Sequence, residues 1–164
     1  MRLIATLLLL LPLLGHAANA EYLKIHLMQD KNAMLEKIEG VDDLDRYMKE
    51  VERTINKKIA TLPTTQSWGF LVIAVRQDGK IKAWLDSDDA VPANIAKEMV
   101  NVAESTKPFS VKNGAVVFSL GFATDGAELP VEKMPFPNEW KKVANCDNED
   151  CAEVDAEEVV LKSW

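Results

Sequence analysis

The fold is decided by residues 68–85, which read WGFLVIAVRQDGKIKAWL. The first half is rich in β-branched and aromatic residues and is apolar at successive positions, as in a strand that is covered on both faces. Asp78-Gly79 then separates this run from a second apolar run, Ile81 to Leu85. An Asp-Gly pair between two such runs is a strong hairpin signal because both residues tolerate a positive φ. The sequence therefore predicts an antiparallel hairpin.

An amphipathic helix is predicted before the hairpin. Apolar side chains recur there at steps of three and four residues, with charged side chains between them, which is the period of a helix with one buried face. The apolar positions are Leu44, Tyr47, Met48, Val51, Ile55 and Ile59. We expect Asp42 or Asp43 to cap its first turn and Pro63 to end it.

A second helix is predicted after the hairpin. Pro92 suits a first helical turn, and the apolar stripe from Ile95 to Ala103 indicates a helix that ends near Ser105. The preceding polar run, Asp86 to Asp89, offers side-chain caps for its first amides.

Residues Ala115 to Ala123 alternate with the period of a strand. One face carries Val116, Phe118, Leu120 and Phe122, and the other carries Ala115, Val117, Ser119 and Gly121, whose small side chains leave room for another group to approach. The order helix, strand, strand, helix, strand predicts an α+β fold. We expect a three-stranded antiparallel sheet with two helices packed on one face.

The first 20 residues have the pattern of a secretory signal peptide. Arg2 precedes an apolar run to Leu14, and Ala18 and Ala20 form a small-residue exit for cleavage. The run is shorter than the ~20 residues that a helix needs to cross a bilayer. We therefore predict a mature chain that starts near Glu21, is periplasmic or secreted, and is not inserted in a membrane after cleavage.

Two extensions flank a predicted domain at residues 41–126. In residues 21–40, Leu23, Ile25 and Leu27 alternate like a strand, but the apolar residues from Leu27 to Ile38 also fit a helix, and residues 30–39 are assigned as helical. Residues 127–164 are punctuated by proline, acidic and without a clear period, so a loop-like tail is predicted there.

The two cysteines, Cys146 and Cys151, are predicted to form one local disulfide in an oxidising compartment. A zinc site lacks ligands, because His26 is the one histidine beyond residue 20. His26 also stands without the flanking residues of a nucleophile-activating base. The acidic pairs lack the glycine and distal glutamate of a calcium loop, and no phosphate-binding glycine motif occurs. We predict no enzyme activity, no cofactor and no metal.

The formal net charge of the chain is -7. A protein that binds nucleic acid through phosphates presents clustered Lys and Arg, and this balance argues against that class of partner. The same sign disfavours docking on anionic lipid.

With these features the chain resembles the C-terminal domain of TonB and TolA envelope proteins. The similarity spans about Val41 to Asp125. It comprises the helix closing on Leu62-Pro63, the strand Phe70 to Val75 running into Gln77-Asp78-Gly79-Lys80-Ile81, the Ser87-Asp88-Asp89 turn, the helix through Ala96 and Val100, the exit Lys107-Pro108-Phe109 and the strand Val116 to Phe122. The family usually shows Ser-Ser-Gly at that turn and Leu-Asp where this chain has Ala93-Asn94.

The resemblance implies a module that binds an envelope protein by adding a strand to an exposed sheet edge. By family analogy the edge would be the strand with Val116, Phe118, Leu120 and Phe122. The alternative is that the run Tyr22 to Leu27, or the segment after Asp125, covers that edge. A second hypothesis is an inhibitor of an envelope hydrolase or protease that binds through the loop from Cys146 to Cys151.

Overall fold

The computed structural model describes residues 19–146, 151 and 154–164 of the chain. The predicted signal peptide lies outside this part except for its last two residues. In chain order the elements are β1 Ala20–Leu27, α1 Lys31–Lys37, α2 Val41–Ile59, β2 Ser67–Arg76, β3 Ile81–Ser87, α3 Ala93–Ser105, β4 Ala115–Thr124, α4 Asn138–Ala144 and α5 Ala156–Lys162.

The strands form one antiparallel sheet in the order β1-β4-β2-β3. The predicted hairpin and third strand are confirmed, and so is the α+β class, but the sheet has a fourth strand. Residues 20–27 supply it, with Ile25 opposite Leu120 and Leu27 opposite Phe118. The alternation at Leu23, Ile25 and Leu27 was therefore a strand pattern, and the helix assigned after it is shorter, at Lys31–Lys37.

The position predicted for the partner-binding edge is wrong. Strand β4 pairs with β1 on one side and with β2 on the other, so it lies inside the sheet. The side chains of Val116, Phe118, Leu120 and Phe122 are at most 1% exposed and belong to the apolar core. The N-terminal run covers this strand because its period-2 pattern matches that of β4 and gives β4 a second partner.

The hairpin turn differs in detail from the expected two-residue turn. Gly79 has a φ of 76° and its N–H donates to the Arg76 carbonyl at 2.9 Å, while Asp78 is not among the described residues with positive φ. The Arg76 N–H in turn donates to the Lys80 carbonyl at 2.9 Å. The loop is therefore Gln77 to Gly79, a three-residue connection in which glycine alone takes the left-handed conformation.

Helices α2 and α3 cover one face of the sheet as predicted. Their stripes, including Val51, Ile55, Ile95 and Met99, pack against the side chains of β2 and β4 that point the same way. Neither helix uses the predicted caps. The N-cap of α2 is Gly40 and that of α3 is Pro92, neither with a side-chain hydrogen bond, and Asp42 and Asp43 lie within the first turn of α2.

The predicted loop-like tail is also wrong, because α4 and α5 pack on the opposite face of the sheet. Trp140 of α4 is fully buried, with its ring centroid 5.3 Å from that of Trp84 in β3. Val159 and Val160 of α5 join the same cluster with Val117 of β4. Two seven-residue helices are too short to show a period amid acidic residues.

The small-residue face of β4 receives this C-terminal segment. A Cβ on Gly121 would lie 2.7 Å from Leu129 Cδ2, so a larger residue there would displace the Leu129 side chain. The group that approaches this face is therefore part of the chain itself.

None of the helices in the described residues is long and apolar enough to cross a membrane.

Candidate functional site

Strand β1 is one of the two edge strands of the sheet, and its free side is the β1 border. It pairs with β4, and no other described segment pairs with it on the far side. Just beyond β1, the Met28 N–H donates to the Val117 carbonyl at 3.2 Å. Because successive residues of a strand direct their backbone groups to alternate sides, Leu27 and Ile25 direct theirs away from β4. The outer border of β1 therefore presents backbone donors and acceptors.

The same border carries large apolar side chains. Leu23 is 51% exposed, Ile25 47% and Leu27 36%. Val131 and Met134, from the segment that follows β4, are also exposed. Edge strands of sheets are usually protected from pairing with another chain by charged side chains, often lysine, or by proline. Here the one lysine of β1, Lys24, donates to the Val131 carbonyl, and the border stays apolar.

The opposite border, strand β3, is built differently. The N–H of Ala83 donates to the Glu104 carboxylate of α3 at 3.1 Å, so a side chain already satisfies this amide. Asp86 accepts from the N–H of Phe136 at 2.9 Å and lies 3.5 Å from the ammonium of Lys133. Strand β3 is thus partly closed by the chain, and β1 is the more available border.

Beyond the end of β1, side chains complete the pairing of β4. Gln29 accepts from the Val117 N–H at 2.8 Å and donates to the Ala115 carbonyl at 3.1 Å. Glu157 of α5 accepts from the Ala115 N–H at 2.9 Å and forms an ion pair with Lys37. Strand β4 is therefore covered along its length, and an incoming polypeptide finds its open border on β1.

A groove of about 490 Å³ lies at this end of β1. Its lining includes the apolar side chains of Leu27, Met28, Met134 and Val154. Methionine is flexible and adapts to different apolar surfaces. The same lining also contains the charged side chains of Asp30, Lys37, Asp155 and Glu157, so the groove is mixed in character and only its Leu27 side continues the apolar side chains of β1.

A larger groove of about 730 Å³ lies between α2 and the segment after α3. The charged groups that α2 contributes are paired within the helix, as in the Arg46–Asp43 ion pair at 2.7 Å, and Lys107 lies on the other wall. The Tyr47 hydroxyl donates to the Ala103 carbonyl at 2.7 Å. Burial and the charge of Glu104 raise the pKa of Tyr47. A hydroxyl that stays protonated and donates to a carbonyl does not serve as a base. We therefore interpret this groove as a packing junction between α2 and the segment after α3.

His26 does not form a catalytic arrangement with a groove. It lines neither groove, and the residue as a whole is 7% exposed. Within residues 19–146, 151 and 154–164, no group of three or more His, Cys, Asp or Glu side chains is placed to hold a metal ion.

Cys146 and Cys151 form the predicted disulfide, with a Cα–Cα distance of 5.4 Å. The loop between them, residues 147–150, lies outside the described residues. The inhibitor hypothesis depends on this loop and therefore stays a prediction. Sequence analysis gave the run Tyr22 to Leu27 as the alternative that covers β4, and the structure confirms this pairing, but Leu23, Ile25 and Leu27 were not identified as a partner-binding border. Their alternation was visible, but the choice of border depends on strand order, which a single sequence does not encode locally.

Comparison of the chain with protein-family models, with curated proteins and with solved structures gives no match. The resemblance to the TonB and TolA domain thus rests on the order and spacing of the residues quoted above.

Proposed function

We propose that the protein is a binding module of the cell envelope that recognises an extended segment of another envelope protein by strand addition to β1. The observation that carries the proposal is a border strand with outward backbone groups at Ile25 and Leu27 and exposed side chains at the same positions. In strand addition, main-chain hydrogen bonds supply affinity and alternate side chains supply specificity. The partner segment would carry apolar residues at every second position.

The proposed location outside the cytoplasm has two supports. The first is the signal-peptide pattern of residues 1–20. The second is the disulfide between Cys146 and Cys151, since such bonds persist in oxidising compartments. The resemblance to the TonB and TolA domain, with its envelope partners, agrees with this location.

Site-specific cross-linking tests the border in cells. A photoreactive amino acid is placed at Leu23 in one strain and at Leu161 in another. Leu161, in the last turn of α5, is a matched control because it is 43% exposed and is not a residue of β1 or of the groove at its end. We expect a cross-linked envelope protein with the probe at Leu23 and none at Leu161, and mass spectrometry then identifies the cross-linked segment.

A synthetic peptide with the sequence of that segment is then titrated against purified protein. Ile25→Lys, which adds a charge to the border, is expected to weaken peptide binding at least tenfold. Leu161→Lys is expected to leave it unchanged. Equal cross-linking at both positions, or equal affinity of the two variants, overturns the proposal.

A further inference from the structure

The seam between β1 and β4 contains buried polar atoms without partners. Within the described residues, five buried side-chain atoms lack a hydrogen bond, and two of them, His26 Nδ1 and Ser119 Oγ, belong to residues that lie opposite each other here. Each such atom costs stability because it has lost its water and gained nothing in exchange. The side-chain hydrogen bonding between the edge strand β1 and strand β4 is therefore incomplete.

His26 lies in the middle of this seam. It is directly opposite Ser119 of β4, which is fully buried, and its ring centroid lies 5.3 Å from that of Phe70 in β2. Lys24, two residues earlier, points to the same face of the sheet, because its partner Gly121 and the His26 partner Ser119 share that face. The fourth neighbour is the Val131 backbone, from the segment after β4.

We propose that protonation of His26 controls the partner-binding border. A proton on its buried ring weakens the pairing of β1 with β4 and so removes the surface that binds the partner. This inference rests on the proposed function, because it concerns the regulation of the same border.

The surroundings of His26 oppose a positive charge. Strand β2 contributes the Phe70 ring and β4 the Ser119 hydroxyl, neither of which carries a charge, and β1 contributes the Lys24 ammonium. Burial, and then the charge of Lys24, lower the pKa of His26, while hydrogen bonding to the Val131 backbone acts in the opposite direction. Among the described residues, the groups that act on its pKa do not include a carboxylate that would balance an imidazolium.

Strand β1 is the element that can respond to protonation. It is a border strand, it is irregular between Tyr22 and Lys24, and Leu23, Ile25 and Leu27 are partly in solvent already. Detaching it therefore exposes less new apolar surface than opening the β2–β4 seam, whose residues are almost all buried. A protein can relieve the free-energy cost of a charge on a buried side chain by local opening of a lightly packed element.

The sign of the effect follows from the lowered pKa. Well above the ordinary histidine pKa of 6.5 the ring is neutral in both states, and its charge does not affect the pairing of β1 with β4. As pH falls below that value, the detached strand binds a proton and the docked strand does not, so opening becomes easier by up to about tenfold per pH unit. The effect levels off below the pKa of the docked strand.

Hydrogen exchange of the mature protein, followed by NMR from pH 7.5 to 5 without any partner, tests the inference. Observed rates are corrected for the intrinsic pH dependence of amide exchange. We expect the opening constant of the β1 amides that bond to β4 to rise severalfold, and that of β3 amides to change little. His26→Gln, which stays neutral, is expected to abolish the rise, and Ser119→Ala, which keeps the histidine, to retain it.

If β1 and β3 respond to pH equally in the wild type, or if His26→Gln opens with the same pH dependence, the inference is overturned. The wild-type comparison decides the matter even if the His26→Gln variant does not fold. A border that stays closed at pH 5 while the peptide still binds at pH 7.5 defeats the inference and leaves the proposed function standing. A border that opens, with no cross-linking at Leu23, defeats the function instead.

Discussion

The carboxylate of Glu157 accepts a hydrogen bond from the backbone N–H of Ala115 at 2.9 Å. This contact joins the last helix of the chain to the first residue of the central strand. The same carboxylate binds Lys37 of α1 and the Gln29 amide, so one acidic side chain connects three parts of the fold. Gly114 allows the approach, since a Cβ there would lie 2.1 Å from Glu157 Oε1.

Glu157→Ala is therefore expected to lower the free energy of unfolding by about 1–3 kcal/mol, because the Ala115 N–H and Lys37 lose their acceptor. Urea unfolding measures the change. Glu158→Ala is the matched control: Glu158 is a more exposed neighbour that pairs with Lys162 one turn on, and its loss is expected to cost under about 0.5 kcal/mol. Equal effects of the two substitutions would contradict the role of Glu157.

Trp140→Ala tests whether the C-terminal segment is part of the fold. Trp140 is fully buried against Trp84 and Phe136, so its truncation leaves a large cavity and is expected to cost about 3–5 kcal/mol. Val143→Ala, at an exposed position of the same helix, is expected to change stability by less than about 0.5 kcal/mol. Calorimetry on both variants checks this, and similar melting temperatures would show that α4 does not pack as described.

The pH dependence of stability provides a further prediction. Because the pKa of His26 is lowered, its contribution is present above pH 6.5 and is lost as pH falls toward its folded value. Glu52 acts in the opposite direction, since burial raises its pKa and protonation relieves it. The difference in melting temperature between wild type and His26→Gln isolates the histidine. We expect the wild type to lose more stability than the variant between pH 7 and pH 5, and parallel losses would count against it.

Processing of the chain can be checked by mass. We expect the exported protein to begin at Glu21 and to carry the Cys146–Cys151 disulfide, with no thiol that reacts with alkylating reagent before reduction. Cleavage at that position removes Ala20, whose N–H donates to Asn56 at 2.9 Å and whose carbonyl accepts from it at 3.2 Å. A product that retains residues 1–18 would contradict the signal prediction.

The sequence predicts the elements whose pattern is long and regular. The nineteen-residue helix α2 and the run Phe70 to Val75 have strong periods, and the Asp78-Gly79 pair marks their hairpin. The helices α4 and α5 escaped prediction because their few apolar residues stand beside prolines or within an acidic run, which hides a helical period in so short a segment. Their docking depends on tertiary contacts such as that of Trp140 with Trp84.

The candidate border escaped prediction for a different reason. Strand order is set by which apolar faces match across the whole sheet, and the run from Tyr22 to Leu27 gained its position only because β4 offers a complementary alternation. The sequence shows that Ile25 and Leu27 alternate with Lys24 and His26. It does not show that β4 needed a second partner, and so the border was assigned to the wrong strand.

Backbone protection on peptide binding tests strand addition to β1 most directly. Amide exchange at Ile25 and Leu27 is followed at pH 7.5 with and without the synthetic peptide that the Leu23 cross-link identifies. We predict at least a tenfold slowing at both residues and no change at Ile81 or Leu85 on the opposite border. Peptide binding that leaves Ile25 and Leu27 exchanging at their original rates, or that protects β3 instead, would contradict it.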